Sequence, residues 1–92
     1  MALFVDSADV NEVREAIETG FVAGVTTNPI LVARAGRPAY ETIVELCSIS
    51  PGPVFHQVAS RVPEAMETDA RRFLGICPEQ IVLKIPCTLE AL

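Results

Sequence analysis

Ile81-Val82-Leu83-Lys84-Ile85-Pro86 is an aliphatic run of strand length that carries one charge and is stopped by a proline. Lys84 is the only lysine in the chain, beside six arginines. Side chains along a strand alternate between its two faces. Ile81, Leu83 and Ile85 therefore share one face, and Val82 and Lys84 the other. A buried lysine is unusual, because loss of water disfavours the ammonium form. The same loss of water frees an amine to attack a carbonyl.

Three earlier apolar runs repeat this layout. Residues 2–6, 21–26 and 54–59 read as strands, each with an aliphatic or nearly aliphatic face and a second face that ends in a polar group. Leu3 and Val5 oppose Phe4 and Asp6. Ala23 and Val25 oppose Gly24 and Thr26, and Val54, His56 and Val58 oppose Phe55 and Gln57. Asp6, Thr26, Gln57 and Lys84 thus fall near the C-terminal ends of their strands, on one face. Polar groups gathered in that way point to a shared site.

Helical patterns separate the strands. Asp9-x-x-Glu12 reads as a capping box opening a helix over 9–19, with Val10, Val13 and Ile17 on one face. Gly20 occupies the place of a left-handed C-terminal residue. Pro29 begins a short helix over 29–34. A further helix starts at Pro38, a favoured first helical position, with Ile43, Val44 and Cys47 inward. Pro63 opens another, with Met66, Ala70, Phe73 and Leu74 on one face and Gly75 at its end. Thr88 begins a last one.

This β-α-β-α-β-α-β order with short connections implies parallel strands joined by right-handed crossovers. An open doubly wound sheet and part of a (β/α)₈ barrel both satisfy it. Doubly wound sheets usually bind ligands through Gly-rich first turns, and no GxGxxG or P-loop stretch occurs here. In a barrel the polar face is the interior, and active sites sit at the C-terminal strand ends. The expected fold class is therefore α/β, a (β/α)₈ TIM-type barrel represented by its first four βα units. Residues 1–92 form one continuous domain or the N-terminal half of one.

Composition narrows the function. Half of the 92 residues are hydrophobic, and seven basic against twelve acidic side chains leave a net charge of −5. That balance argues against a sequence-independent grip on nucleic acid or on an anionic membrane. No apolar run reaches the length of a transmembrane helix, and MALFVDSADV lacks the basic start of a signal peptide. Cys47, Cys77 and Cys87 are widely spaced with no CxxC pair, so no zinc site or disulfide framework is expected. Reduced thiols of a cytoplasmic protein are the expectation.

Plainer roles exist for each polar residue. Lys84 on a terminal strand would discourage edge-to-edge pairing. Asn28-Pro29 on its own reads best as an N-cap followed by Pro at the first helical position. Asp6 could be an ordinary carboxylate at the start of a helix, and Gln57 could satisfy a core hydrogen bond. His56 lies on the helix-facing side and is expected to be a packed, hydrogen-bonded histidine. Arg71-Arg72 reads as a solvated helix face. The common location of Asp6, Thr26, Gln57 and Lys84 sets them apart from these isolated readings.

Four stretches, in this order and spacing, resemble the small transaldolases and fructose-6-phosphate aldolases. They are Phe4-Val5-Asp6-Ser7-Ala8-Asp9, Gly24-Val25-Thr26-Thr27-Asn28-Pro29, Phe55-His56-Gln57-Val58 and Ile81-Val82-Leu83-Lys84-Ile85-Pro86-Cys87-Thr88. The resemblance covers the whole chain. It implies a (β/α)₈ barrel in which Lys84 forms a Schiff base with a ketose carbonyl. It implies that Asp6 handles proton transfer and hydroxyl binding. Thr26 and Asn28 would surround the substrate and a catalytic water, and Gln57 would belong to the same hydrogen-bonded network. Sugar phosphates are the implied substrates, and no metal or organic cofactor is required.

The resemblance also implies a shortfall. The family barrel has eight strands, and the pattern here supplies four. Its proton-transferring tyrosine, its substrate-side serine and its phosphate-holding arginine match positions beyond 92, and neither Tyr40 nor Arg34 corresponds to them. A half-barrel has two unpaired edges and an open interior face. The expectation is a fragment of a longer chain, a partner for a complementary C-terminal half-barrel, or a homo-oligomer. A stop barely one turn into a helix favours the fragment. The alternative function is a catalytically incompetent half-barrel serving as an assembly or interaction module.

Overall fold

The computed structural model describes residues 3–60 and 62–85. Their elements run β1 (Leu3–Asp6), α1 (Val10–Glu18), β2 (Val22–Thr26), α2 (Pro29–Arg34), α3 (Ala39–Ile49), β3 (Val54–Gln57), α4 (Pro63–Leu74) and β4 (Ile81–Lys84). The expected helix from Thr88, and Cys87, lie outside the described residues. The strands form one sheet in the order β1-β2-β3-β4, with every neighbouring pair parallel. Sequential order with parallel pairing is the arrangement of consecutive strands in a (β/α)₈ barrel, and the chain supplies half of one.

Apolar alternation places the helices on one side of the sheet. Val25, Val54 and Ile81 pack with Val13 of α1, Ile43, Leu46 and Cys47 of α3 and Phe73 of α4 in the buried core. Val13, Val25, Ile43, Leu46 and Val54 have no exposed surface. Burying such side chains contributes roughly 1.5–3 kcal/mol each, so this single layer is the main source of cohesion. The opposite face carries Phe4, Phe55 and Val82. The Phe4 and Phe55 rings meet edge to face at 5.7 Å, and Phe4 and Val82 each keep 39% of their surface exposed.

Local chemistry sets the helix ends. The Asp9 carboxylate accepts from the amides of Asn11 and Glu12, at 2.9 and 3.2 Å. The return half of the expected capping box is not made, because the Asp9 amide donates to Ser7 Oγ and the Ser7 hydroxyl donates to Glu12. Gly20 takes φ +84° after α1, the left-handed conformation in which a Cβ is penalised. Pro38 stands just outside α3, with ψ 133°, instead of opening it. In α3 Thr42 and Leu46 are buried with Ile43 and Cys47, while Val44 is turned outward. In α4 Met66 and Phe73 are buried and Leu74 is at the margin. Gly75 follows α4 in right-handed conformation, so its glycine serves no backbone need there.

Candidate active site

Register decides how the polar groups are layered. Asp6 pairs with Thr26, Thr26 with Phe55 and Phe55 with Val82, which makes one row across the sheet. Gln57 pairs with Lys84 in the next inward-facing row, about 6.6 Å further along the strands. The four residues therefore share the inner face and the same end of the sheet, at two depths. Strand alternation gives the face and the end. The stagger comes from how far each strand is slid against its neighbour.

In the deeper row, further from the C-terminal strand ends, Thr26 Oγ1 donates to Asp6 Oδ1 at 2.9 Å. This orients the carboxylate and leaves its second oxygen free of that contact. In the shallower row Lys84 Nζ donates to the Thr27 carbonyl at 2.5 Å, crossing from β4 to the end of β2. Lys84 is half-buried. Asn28 caps α2, its side-chain oxygen accepting from the Leu31 amide at 2.9 Å, with Pro29 at the first helical position. Asn28 thus has the plain structural role that its sequence context suggests, and its amide nitrogen is not engaged in that bond. Among the described residues the Gln57 amide has no hydrogen-bond partner.

Thr27 is the residue that alternation overlooks. Its parity puts its side chain on the face opposite Thr26, and it is fully buried. Its contribution to the lysine runs through a main-chain carbonyl, which a side-chain pattern does not encode. Its hydroxyl and its amide both donate to the Phe55 carbonyl, at 2.8 and 3.1 Å.

His56 faces the helices, 5% exposed, and stacks on Phe73 with ring centroids 4.0 Å apart. Burial pushes its pKa below the usual imidazole value, against an opposing pull from Asp69 and with a further push from Lys84. It is packed as its position suggests, but among the described residues Nδ1 has no hydrogen-bond partner. Arg71 is solvated and paired with Glu67. Arg72 instead covers aromatic surface, its guanidinium 4.5 Å from the Tyr40 ring centre.

Two clefts among the described residues lie away from this cluster. One of about 280 Å³ runs between α1 and the α2–α3 turn and is lined in part by Arg14, Arg34 and Arg37. Arg37 there is committed to Glu45. Another, of about 350 Å³, lies at the opposite end of the sheet beside Pro51, Pro53 and Gln80. An open sheet encloses nothing on its inner face, so the polar cluster is a floor without walls. Among the described residues no three His, Cys, Asp or Glu side chains are grouped to hold a metal ion. No helix among them is long and apolar enough to cross a membrane.

The chain has sequence counterparts among known proteins. Residues 3–92 match the family described as transaldolase/fructose-6-phosphate aldolase. A probable transaldolase of Caulobacter sp. (strain K31) is 44% identical over 92 residues, which is 100% of this chain and 42% of that protein. Probable transaldolases of Caldicellulosiruptor saccharolyticus and Geobacter metallireducens are 45% and 46% identical over the same span, again 42% of their length. The chain therefore spans less than half the length of these curated relatives. On the family match and these identities along its whole length, the chain belongs to the transaldolase/fructose-6-phosphate aldolase family.

Proposed function

We propose that this chain carries the lysine half of a class I aldol site that acts on ketose phosphates. The observation that supports this most directly is the placement of Lys84. Lys84 is half-buried on the inner face, its amine drawn toward the strand that holds Thr26, whose hydroxyl binds Asp6. The chain's relatives are probable transaldolases, which agrees with it.

The reaction follows from those groups. The Lys84 amine adds to the C2 carbonyl of the ketose, and loss of water leaves a protonated imine. Asp6 takes the proton of the C4 hydroxyl as the C3–C4 bond breaks, and the bonding pair moves into the imine to give an enamine. An aldehyde departs, and a dihydroxyacetone unit stays on Lys84. Attack of the enamine on a second aldose is group transfer. Protonation at C3 followed by hydrolysis is release. Thr26 keeps the Asp6 carboxylate aligned, while the Asn28 amide nitrogen and Gln57 offer donors to substrate hydroxyls and to water.

The inner face needs walls for this chemistry. Phe4 and Val82 are exposed, Phe55 is half-buried, and β1 and β4 are edges. A further four βα units, from additional chain or from a second polypeptide, would close the barrel and supply the phosphate contacts.

Borohydride reduction in the presence of dihydroxyacetone or fructose 6-phosphate tests the reading, followed by intact mass and peptide mapping. A reduced adduct on Lys84 is the expected result. Carbon–carbon cleavage that survives Lys84→Ala would overturn it.

A further inference from the structure

Imine formation needs the amine held at one point, and a lysine side chain is a flexible four-carbon stem that does not hold itself. We propose that Thr27 is the positioning residue for the Lys84 amine. The inference rests on the reading of Lys84 as the imine-forming lysine.

Three contacts carry it. Lys84 Nζ donates to the Thr27 carbonyl at 2.5 Å. The Thr27 hydroxyl donates to the Phe55 carbonyl at 2.8 Å, and the Thr27 amide donates to that same oxygen at 3.1 Å. One acceptor on β3 thus fastens both the side chain and the main chain of Thr27. The carbonyl that meets Lys84 belongs to a residue tied down at two atoms. Thr27 has no exposed surface, so water does not compete for its hydroxyl. Phe55 sits one inward row below Gln57, the register partner of Lys84. The tie therefore fixes β2 against the strand beside the lysine.

The arrangement serves the reaction through its charged states. An ammonium and a protonated imine each retain an N–H. The same carbonyl can therefore orient the nitrogen before the ketose adds and after water leaves. Thr27 touches no reacting atom except through this main-chain acceptor, which makes it a positioning residue.

Two substitutions separate this role from packing. Thr27→Val keeps the β-branched shape and removes the hydroxyl. Thr27→Ser keeps the hydroxyl and removes the methyl. In the complete polypeptide carrying this sequence, the rate of borohydride-trapped adduct on Lys84 with dihydroxyacetone is followed for each. Thr27→Val is expected to slow trapping by up to roughly tenfold, the upper scale of one neutral hydrogen bond. Thr27→Ser is expected to stay within about twofold of the parent, since its hydroxyl still reaches Phe55. The reverse order, with Val like the parent and Ser impaired, would show that shape alone matters and overturn the proposal. Should Thr27→Val fail to fold, a Thr27→Ser rate well below the parent's still overturns it. A parent protein that gives no adduct overturns the reading of Lys84 itself. An adduct that Thr27→Val leaves undiminished overturns only the role of Thr27.

Discussion

Thr26 Oγ1 donates to Asp6 Oδ1 at 2.9 Å, and the two residues are register partners on adjacent parallel strands. The carboxylate is thereby aimed by its neighbour on the inner face, with its second oxygen free of that contact. On the proposed mechanism Asp6→Asn removes the base and keeps the shape, so turnover is expected to fall by about 10²–10⁴-fold. Thr26→Val only loosens the carboxylate and is expected to cost roughly tenfold. Both variants should still yield the reduced adduct on Lys84, because the imine forms before Asp6 acts. Steady-state kinetics and mapped trapping on the same preparations check this. Loss of the adduct in Asp6→Asn would place Asp6 in imine formation instead.

His56 supplies a pH dependence of stability. Burial against Phe73 lowers its folded pKa below the ordinary imidazole value. The unfolded chain then binds the proton more readily than the folded one, so acid favours unfolding. The stabilising contribution of neutral His56 is complete above the unfolded value of about 6.5. It is lost as pH falls from there through the lower folded value. The thermal midpoint should therefore drop between neutral pH and pH 5 more steeply in the parent chain than in His56→Phe, which keeps an aromatic ring and cannot titrate. Equal slopes in the two proteins would remove His56 from the acid response.

Much of this arrangement is legible in the residue pattern, and the parts that are not share a cause. Period-two alternation through Val54, His56 and Val58 puts those side chains on the helix face, where they are buried. The same alternation brings Asp6, Thr26, Gln57 and Lys84 to one end of the inner face. Alternation says nothing about how far strands slide past one another, so the two-row stagger emerges only from the pairing of Thr26 with Phe55 and of Gln57 with Lys84. Main-chain acceptors are equally silent, which hides Thr27. Helix faces fail at their margins: Val44 fits the periodicity yet points outward, while Thr42 is buried with its hydroxyl unpartnered among the described residues. Ser7 takes the amide that Glu12 would bind in a capping box, a competition between two adjacent acceptors that spacing alone does not resolve.

The two described cysteines should differ in reactivity. Cys47 lies in the core, and burial, aided by the proximity of Cys77, pushes its thiol up to about 11. At pH 8 about one Cys47 in a thousand would then be thiolate, and the thiolate is the nucleophile. Cys77 is partly exposed. Iodoacetamide at pH 8 is expected to label Cys77 readily and to leave Cys47 largely unmodified until the chain is denatured. Peptide mapping over time reads both sites at once. Comparable native rates would mean that α3 opens on the labelling timescale.

Gly24 is where the sheet tolerates no side chain. A Cβ there would run into the Pro53 carbonyl and come within 2.7 Å of the Phe4 ring. Phe4 could turn aside, but the Pro53 carbonyl accepts the Val25 amide at 2.9 Å and cannot retreat without losing that bond. Gly24→Ala is therefore expected to destabilise the chain by about 1–3 kcal/mol through overpacking. Gly36→Ala gives a contrast, since Gly36 has φ +68° and open space around it. Its cost should be confined to the left-handed backbone, about 1 kcal/mol. Denaturant midpoints of the two variants should rank Gly24→Ala as the less stable. The opposite ranking would mean that β2 and the Pro53 turn separate easily, and the register that brings Thr26 beside Phe55 would then be held by the helices instead of by the strands.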